Sequence, residues 1–320
     1  MPENIQQTIK IEWTKMVNKG QTNLRGIFGI TVTPFNDDES LDLKSLESVL
    51  NFTIDSGCHG IVTPVMVSEY QTLTDEERRK IFETAVKVAN GKIPVVAGVT
   101  GVSTPHSVGL ARVAQDLGVD AVIAMAPFSR PPTITEVKEF FRELDKNVNI
   151  PIFIQNHSKG SSLGAEQIVD IFKSTENVKY LKEESAFPGQ ITTRVLDRAR
   201  NICRGIFGGA SGQNIISEHH RGMSGNMPAS HFGDPMSRLW EALESGDIKY
   251  AKKIHSEMLP ILNFELIYGV EVFKHILIKR GVISNGTVRS PGRVQLDVKD
   301  HEEIDVLLSE IDHLLTWNKS

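Results

Sequence analysis

Cysteine is nearly absent: Cys58 and Cys203 are the only two in 320 residues, and they lie far apart in apolar stretches. Neither has a partner at metal-ligand spacing, which speaks against a disulfide framework and a cysteine-based zinc site and leaves two buried reduced thiols as the expectation. No apolar run reaches the roughly 20 residues that a membrane-spanning helix needs. The opening segment MPENIQQTIKIEWTKMVNKG carries charges throughout and lacks the apolar core of a secretory signal. It reads as a short amphipathic helix. An excess of basic charge is missing too: 35 Lys and Arg against 40 Asp and Glu leave a formal net charge of −5. That argues against nucleic acid or an anionic membrane as the main partner, and a cytoplasmic location follows by elimination.

What the chain does have is alternation. From Gly26 onward, the short apolar runs GIFGITVTPF, HGIVTPVM, IPVVAGVT, DAVIAMAPF, IPIFIQN, VKYLKEES, CRGIFGGA and GMSGNMPA alternate with amphipathic stretches. Such runs fit buried parallel strands. The helical stretches open at capping residues (Asp42, Thr74, Thr104) and close at Gly57, Gly91 and Gly118. Eight strands, each followed by a helix, predict an α/β fold, a (β/α)8 TIM barrel, which takes about 250 residues. An open doubly wound sheet would need a glycine-rich phosphate turn after the first strand, and GITVTPFNDDES has none. After Ser230 the strands stop, and 235–246, 247–258, 260–280 and 299–317 read as helices. The expected division is an N-terminal extension 1–24, a barrel 25–234 and a C-terminal helical region 235–320 packed on it.

Catalytic groups of such barrels sit at the C-terminal ends of strands and in the loops that follow. This selects Ser68 and Glu69, Ser129 and Arg130, Gln155 to Lys159, Lys182 to Ser185, and the 208–214 loop. Lys182 ends the sixth strand, where a period of two places Val178, Tyr180 and Lys182 on one face. If that face points inward, desolvation favours the neutral, nucleophilic amine; a solvated strand-end lysine is the alternative. Glu183 and Glu184 suit acid/base work or the capping of the next helix. His157 falls in a polar loop, and His219 and His220 have no third metal ligand nearby. GGASGQN, which contains Gly209, is a lone glycine cluster and a weak phosphate signal.

Beyond these features, ITVTPF, TLTDEE, IPVVAG, IPIFIQN, VKYLKEES and SGDIKYAKKIHSEMLP, spread over nearly the whole chain from about Gly26, are similar to segments of one family. It is the dihydrodipicolinate synthase/N-acetylneuraminate lyase family of class I aldolases and dehydratases. The resemblance puts the Schiff-base lysine at Lys182. It also implies a small 2-oxo acid as partner, a homotetramer, and no organic cofactor or metal. There are departures. Val65-Met66-Val67-Ser68-Glu69 stands where the synthase has Gly-Thr-Thr-Gly-Glu, and Phe128-Ser129-Arg130 stands in place of the Tyr-Tyr-Asn loop, so Ser129 replaces the tyrosine. Lys159 and Gly160 occupy the region of an expected arginine.

MVSEYQTLTDEE, IPIFIQNHSKG, GMSGNM and LPILNFE look instead like the 2-keto-3-deoxy-L-arabonate dehydratase-like branch. The resemblance thus implies a lyase that dehydrates a 2-keto-3-deoxy sugar acid. The candidate catalytic residues are Lys182, Glu69 and Ser129; Ser68, Val67, Gln155, Asn156, Glu184 and Gly209 are candidates for substrate binding. The alternatives are a pyruvate-dependent aldolase or synthase of the same family, and a non-catalytic sugar-acid-binding protein on the same barrel.

Overall fold

Each of the eight apolar runs forms a strand, and every neighbouring pair is parallel, including β8 with β1, so the sheet closes on itself. The computed structural model describes residues 24–158, 160 and 162–317. The amphipathic N-terminal helix expected from the sequence and Lys159 lie outside the described residues. In chain order the barrel is β1 (Gly26–Ile30), α1 (Leu43–Asp55), β2 (Gly60–Thr63), α2 (Asp75–Ala89), β3 (Val95–Gly98), α3 (Thr104–Asp116), β4 (Ala121–Ala124) and α4 (Ile134–Asn147). It continues with β5 (Ile152–His157), α5 (Ala165–Lys173), β6 (Val178–Glu184), α6 (Pro188–Ala199), β7 (Gly205–Gly208), α7 (Ile215–His220), β8 (Gly225–Asn226) and α8 (Gly233–Ser245). The closing seam explains why the last strands are rich in glycine: a Cβ on Gly225 would lie 2.1 Å from the Gly26 carbonyl oxygen.

Helix starts follow local chemistry. Asp42 accepts from the Ser45 amide, and Thr74 forms a reciprocal capping box with Glu77. The α3 cap is Ser103 rather than Thr104, because Ser103 has the extended backbone and its hydroxyl accepts from the His106 amide. Thr104 is the first helical residue, just before Pro105.

The barrel interior is a dry aromatic and aliphatic layer of Phe28, Ile30, Val62, Val96, Ile123, Phe153, Tyr180 and Phe207. Val178 does not share this face with Tyr180 and Lys182, as simple alternation predicts. The β5–β6 register pairs Ile152 with Val178 and then Phe153 with Tyr180, so Lys179 is an extra, bulged residue. The bulge leaves Val178 in the outer cluster with Ile152 and Leu181 while Tyr180 turns inward.

Three further helices follow: α9 (Ile248–Tyr268), α10 (Val270–Lys279) and α11 (Val298–Ile311). The segments expected at 247–258 and 260–280 are divided differently. The helix runs through Pro260 and breaks at Gly269, whose φ of 69° ends it. Burial of Met258, Ile261 and Leu262 on both sides of Pro260 holds the helix together past the missing amide. One cluster joins Ile27 of β1 and Leu239 and Trp240 of α8 to Ile254 of α9 and Ile304 of α11. The boundary between 234 and 235 thus falls inside continuous packing. Among the described residues no helix is long and apolar enough to cross a membrane.

Buried charges staple the tail to the barrel. Lys274 of α10 lies 2.5 Å from Glu69 in the loop after β2, with both side chains almost wholly buried. Glu69 also accepts from the Arg289 amide at 2.9 Å. Burial pushes the Glu69 carboxyl up and the Lys274 ammonium down, while their mutual attraction opposes both shifts. Arg280 grips Asp234 with two 2.8 Å hydrogen bonds, and His231 meets Glu265 at 2.7 Å. Lys274→Met, which strands the Glu69 carboxylate, is expected to lower stability by about 3–5 kcal/mol near neutral pH. Burial favours the protonated acid, so this deficit shrinks as pH falls, and adding Glu69→Gln recovers most of it. Urea unfolding in acidic and neutral buffer checks this; an equal deficit in both would show that the stranded charge is not the cause.

Candidate active site

The strand phase set by the bulge brings Lys182 of β6 and Gln155 of β5 to the same inner face, side by side in register. Lys182 is only 2% exposed. Beneath it the rings of Phe153 and Tyr180 stack at 4.7 Å, and Phe207, the register partner of Lys182, meets Phe153 edge-on at 5.5 Å. This floor excludes water, so the charges above it interact strongly.

Glu184, two residues further along β6, returns to the inner face. Its Oε2 lies 2.9 Å from Lys182 Nζ and accepts from Gln155 Nε2 at 3.1 Å. Burial works to raise the carboxyl's pKa. The Lys182 ammonium, His157 and the Gln155 amide outweigh it and hold Glu184 below the usual carboxylate range. Gly209, just past β7, backs onto this carboxylate: a Cβ there would stand 2.1 Å from Glu184 Oε1, so the position admits only glycine while Glu184 keeps its place.

The structure thus brings together Lys182, Gln155, Glu184 and Gly209. The other candidates are engaged differently. Ser68 is buried, and its hydroxyl donates to the Thr31 carbonyl at 2.5 Å. Val67 is half-buried against the barrel interior beside it. Glu69 is taken up by Lys274 and Arg289. Asn156 points outward, between Gln155 and His157, where its amide donates to Glu183 at 2.8 Å and both its polar atoms bond the Leu163 backbone. It anchors the loop after β5. Ser129 is exposed on the rim of the barrel mouth, in a cleft of 630 Å³ shared with Val102, Ser103 and Arg130.

Two features escaped the sequence reading. Thr31 and Thr63, both fully buried, join β1 to β2 through a 2.8 Å hydroxyl contact under the Ser68 loop. Glu218 of α7 is a buried carboxyl set against the ends of β7 and β8, where its Oε2 accepts from Asn226 Nδ2 at 2.9 Å. Burial, reinforced by Glu184 and Glu183, pushes it up to about 7. Nothing local marks it, because it sits in an ordinary amphipathic helix beside His219 and His220. Among the described residues no group of three His, Cys, Asp or Glu side chains could hold a metal ion.

Comparison with known proteins gives the family and the fold. The chain is 28% identical to the L-2-keto-3-deoxyarabonate dehydratase of Azospirillum brasilense over 94% of its own length and 99% of that protein's. It is 34% identical to a 4-hydroxy-tetrahydrodipicolinate synthase of Methanococcus aeolicus, over 50% of this chain and 53% of the relative, so there it spans about half of the protein it matches. The dihydrodipicolinate synthase of Rhodopseudomonas palustris superposes with a TM-score of 0.84 at 24% identity, over 90% of this chain and 98% of that one, which establishes the shared fold. The model of the dihydrodipicolinate synthetase family matches residues 23–311, and the chain belongs to that family.

Proposed function

We propose that this chain is a lyase that takes a 2-keto-3-deoxy sugar acid onto Lys182 as a Schiff base and removes its C4 hydroxyl as water. The observation that carries the reading is the 2.9 Å contact between Lys182 Nζ and Glu184 Oε2 above a dry aromatic floor. An amine attacks a carbonyl only in its neutral form, and Glu184 is the base placed to take its proton. The amine adds to C2, its nitrogen passes one proton to the C2 oxygen, Glu184 returns the other, and that oxygen leaves as water to give an iminium.

The positive nitrogen acidifies the C3 protons. Glu184 removes one, and the C–H electrons form a neutral enamine. Glu184, now protonated, hands that proton to the C4 hydroxyl. The C4–O bond breaks, water departs, and the enamine electrons become a C3–C4 double bond conjugated to the iminium. A second water hydrolyses the iminium, freeing Lys182 and the dehydrated oxo acid. Gln155 fixes the Glu184 oxygen throughout by its 3.1 Å hydrogen bond.

One carboxyl serves every proton transfer, which suits a chain with Ser129 where family relatives carry a tyrosine. The same reading takes in the homotetramer expected from the family resemblance and the cytoplasmic location expected from the sequence. A pyruvate-forming aldolase on the same iminium would need its base at the C4 hydroxyl rather than at C3, and product analysis separates the two: the dehydratase releases no pyruvate.

Borohydride added with a 2-keto-3-deoxypentonate is expected to leave a reduced adduct on the Lys182 peptide, detected by mass mapping, and none in Lys182→Ala. No adduct in folded wild-type protein would sink the Schiff-base reading. Glu184→Gln is expected to lower kcat by roughly 10²–10⁴-fold while still forming the adduct on long incubation. Because Lys182 holds the Glu184 carboxyl below the ordinary 4.5, the acid-side loss of activity should lie below pH 4.5 and vanish in that variant.

A further inference from the structure

Glu218 stands on the far side of the β7 end from the Lys182–Glu184 pair. A Cβ on Gly208 would lie 2.0 Å from Glu218 Oε2, and one on Gly209 would lie 2.1 Å from Glu184 Oε1. Two consecutive glycines therefore separate the two carboxyls by little more than a strand of backbone. Asn226 Nδ2 ties Glu218 to that backbone, donating to Glu218 at 2.9 Å and to the Gly209 carbonyl at 3.3 Å.

We propose that Glu218 is a positioning residue for the lyase reaction, a buried acid whose loss of a proton across the Gly208–Gly209 wall weakens Glu184 as an acid and shuts the site down on the alkaline side. This rests on the assignment of Lys182 and Glu184 above. The charged groups that face Glu218 are Glu184 and Glu183 of β6; β7 and β8 present only Gly208, Gly209 and Asn226. Burial with two carboxylates nearby and, among the described residues, no facing cation keeps a proton on Glu218 up to about pH 7.

Asn226 serves both states. Its Nδ2 donates to the carboxylate, while its Oδ1, which has no partner among the described residues, accepts from the carboxylic acid after a half-turn of the amide. Below the titration Glu218 adds no charge. Above it, a negative charge behind Gly209 strengthens the hold of Glu184 on its proton. Glu184 is already ionised at that pH, so extra basicity gains little. What suffers is proton delivery from Glu184 to the C4 hydroxyl.

The test is the pH dependence of kcat/KM for a 2-keto-3-deoxypentonate, in wild type and in Glu218→Gln, with borohydride trapping in parallel. Wild type is expected to lose activity with an inflection near pH 7. Glu218→Gln should keep the wild-type rate on the acid side and show no such inflection. An inflection retained by the variant, with trapping intact, overturns this proposal alone; absent trapping in wild type overturns the assignment beneath it.

Stability gives a second readout. An acid with a raised folded pKa stabilises most below 4.5 and loses that contribution as pH rises to about 7. The variant's Tm should therefore rise relative to wild type across that window and hold the gain above it. A Tm difference independent of pH counts against the proposal. If the variant fails to fold, the infrared band of a protonated carboxyl in wild type carries the test: it should titrate away near pH 7, and its absence in acid refutes the buried proton.

Discussion

The rest of the site answers to one constraint, that an ammonium and a carboxylate lie 2.9 Å apart with almost no water around them. Lys182 and Glu184 attract one another strongly because Phe153, Tyr180 and Phe207 line the space below. The same dryness would make either charge costly alone. Their neighbours follow from this: Gln155 supplies a neutral donor to the shared oxygen, and Gly209 leaves room where any side chain would collide with the carboxylate. A proton can pass between the pair without a large change in net charge, which is the property a Schiff-base cycle needs.

Strand alternation then sorts the polar residues into two layers. Gln155, Lys182 and Glu184 face the interior, and Asn156 and Glu183 face the surrounding helices, where they bond each other and fix the Leu163 loop. Glu218 and Asn226 extend this outer layer across β7 and β8. Reactive groups are thus backed by a buried polar network one backbone thickness away, close enough for its charge to be felt through a low-dielectric wall.

The helical tail is bound to the same loops that shape the mouth. Lys274 and Arg289 both hold Glu69, and Ser68 beside it is pinned to β1 through the Thr31 carbonyl. Glu69, expected to be catalytic, is thus held by the tail. The reason is geometric: with a φ of 55° at Glu69, its side chain turns out of the mouth toward α10, some 200 residues further along the chain.

The eight strands, two of the three expected helix caps and the place of Lys182 late in the sixth strand were legible in the residues, because apolar runs and capping chemistry are local signals. The phase of Val178 was not, since a single bulged residue, Lys179, is set by pairing with β5. The roles of Glu69, Asn156 and Glu218 were hidden for a kindred reason: each depends on partners contributed by distant segments, and a carboxyl or amide looks the same in sequence whether it meets solvent, a lysine or another acid. The sequence by itself determined the alternating βα plan and the place of Lys182 late in the sixth strand, which rest on short-range periodicity and a local motif. Only the tertiary structure decided which carboxyl shares the dry interior with that lysine, because burial and charge proximity arise when the sheet closes.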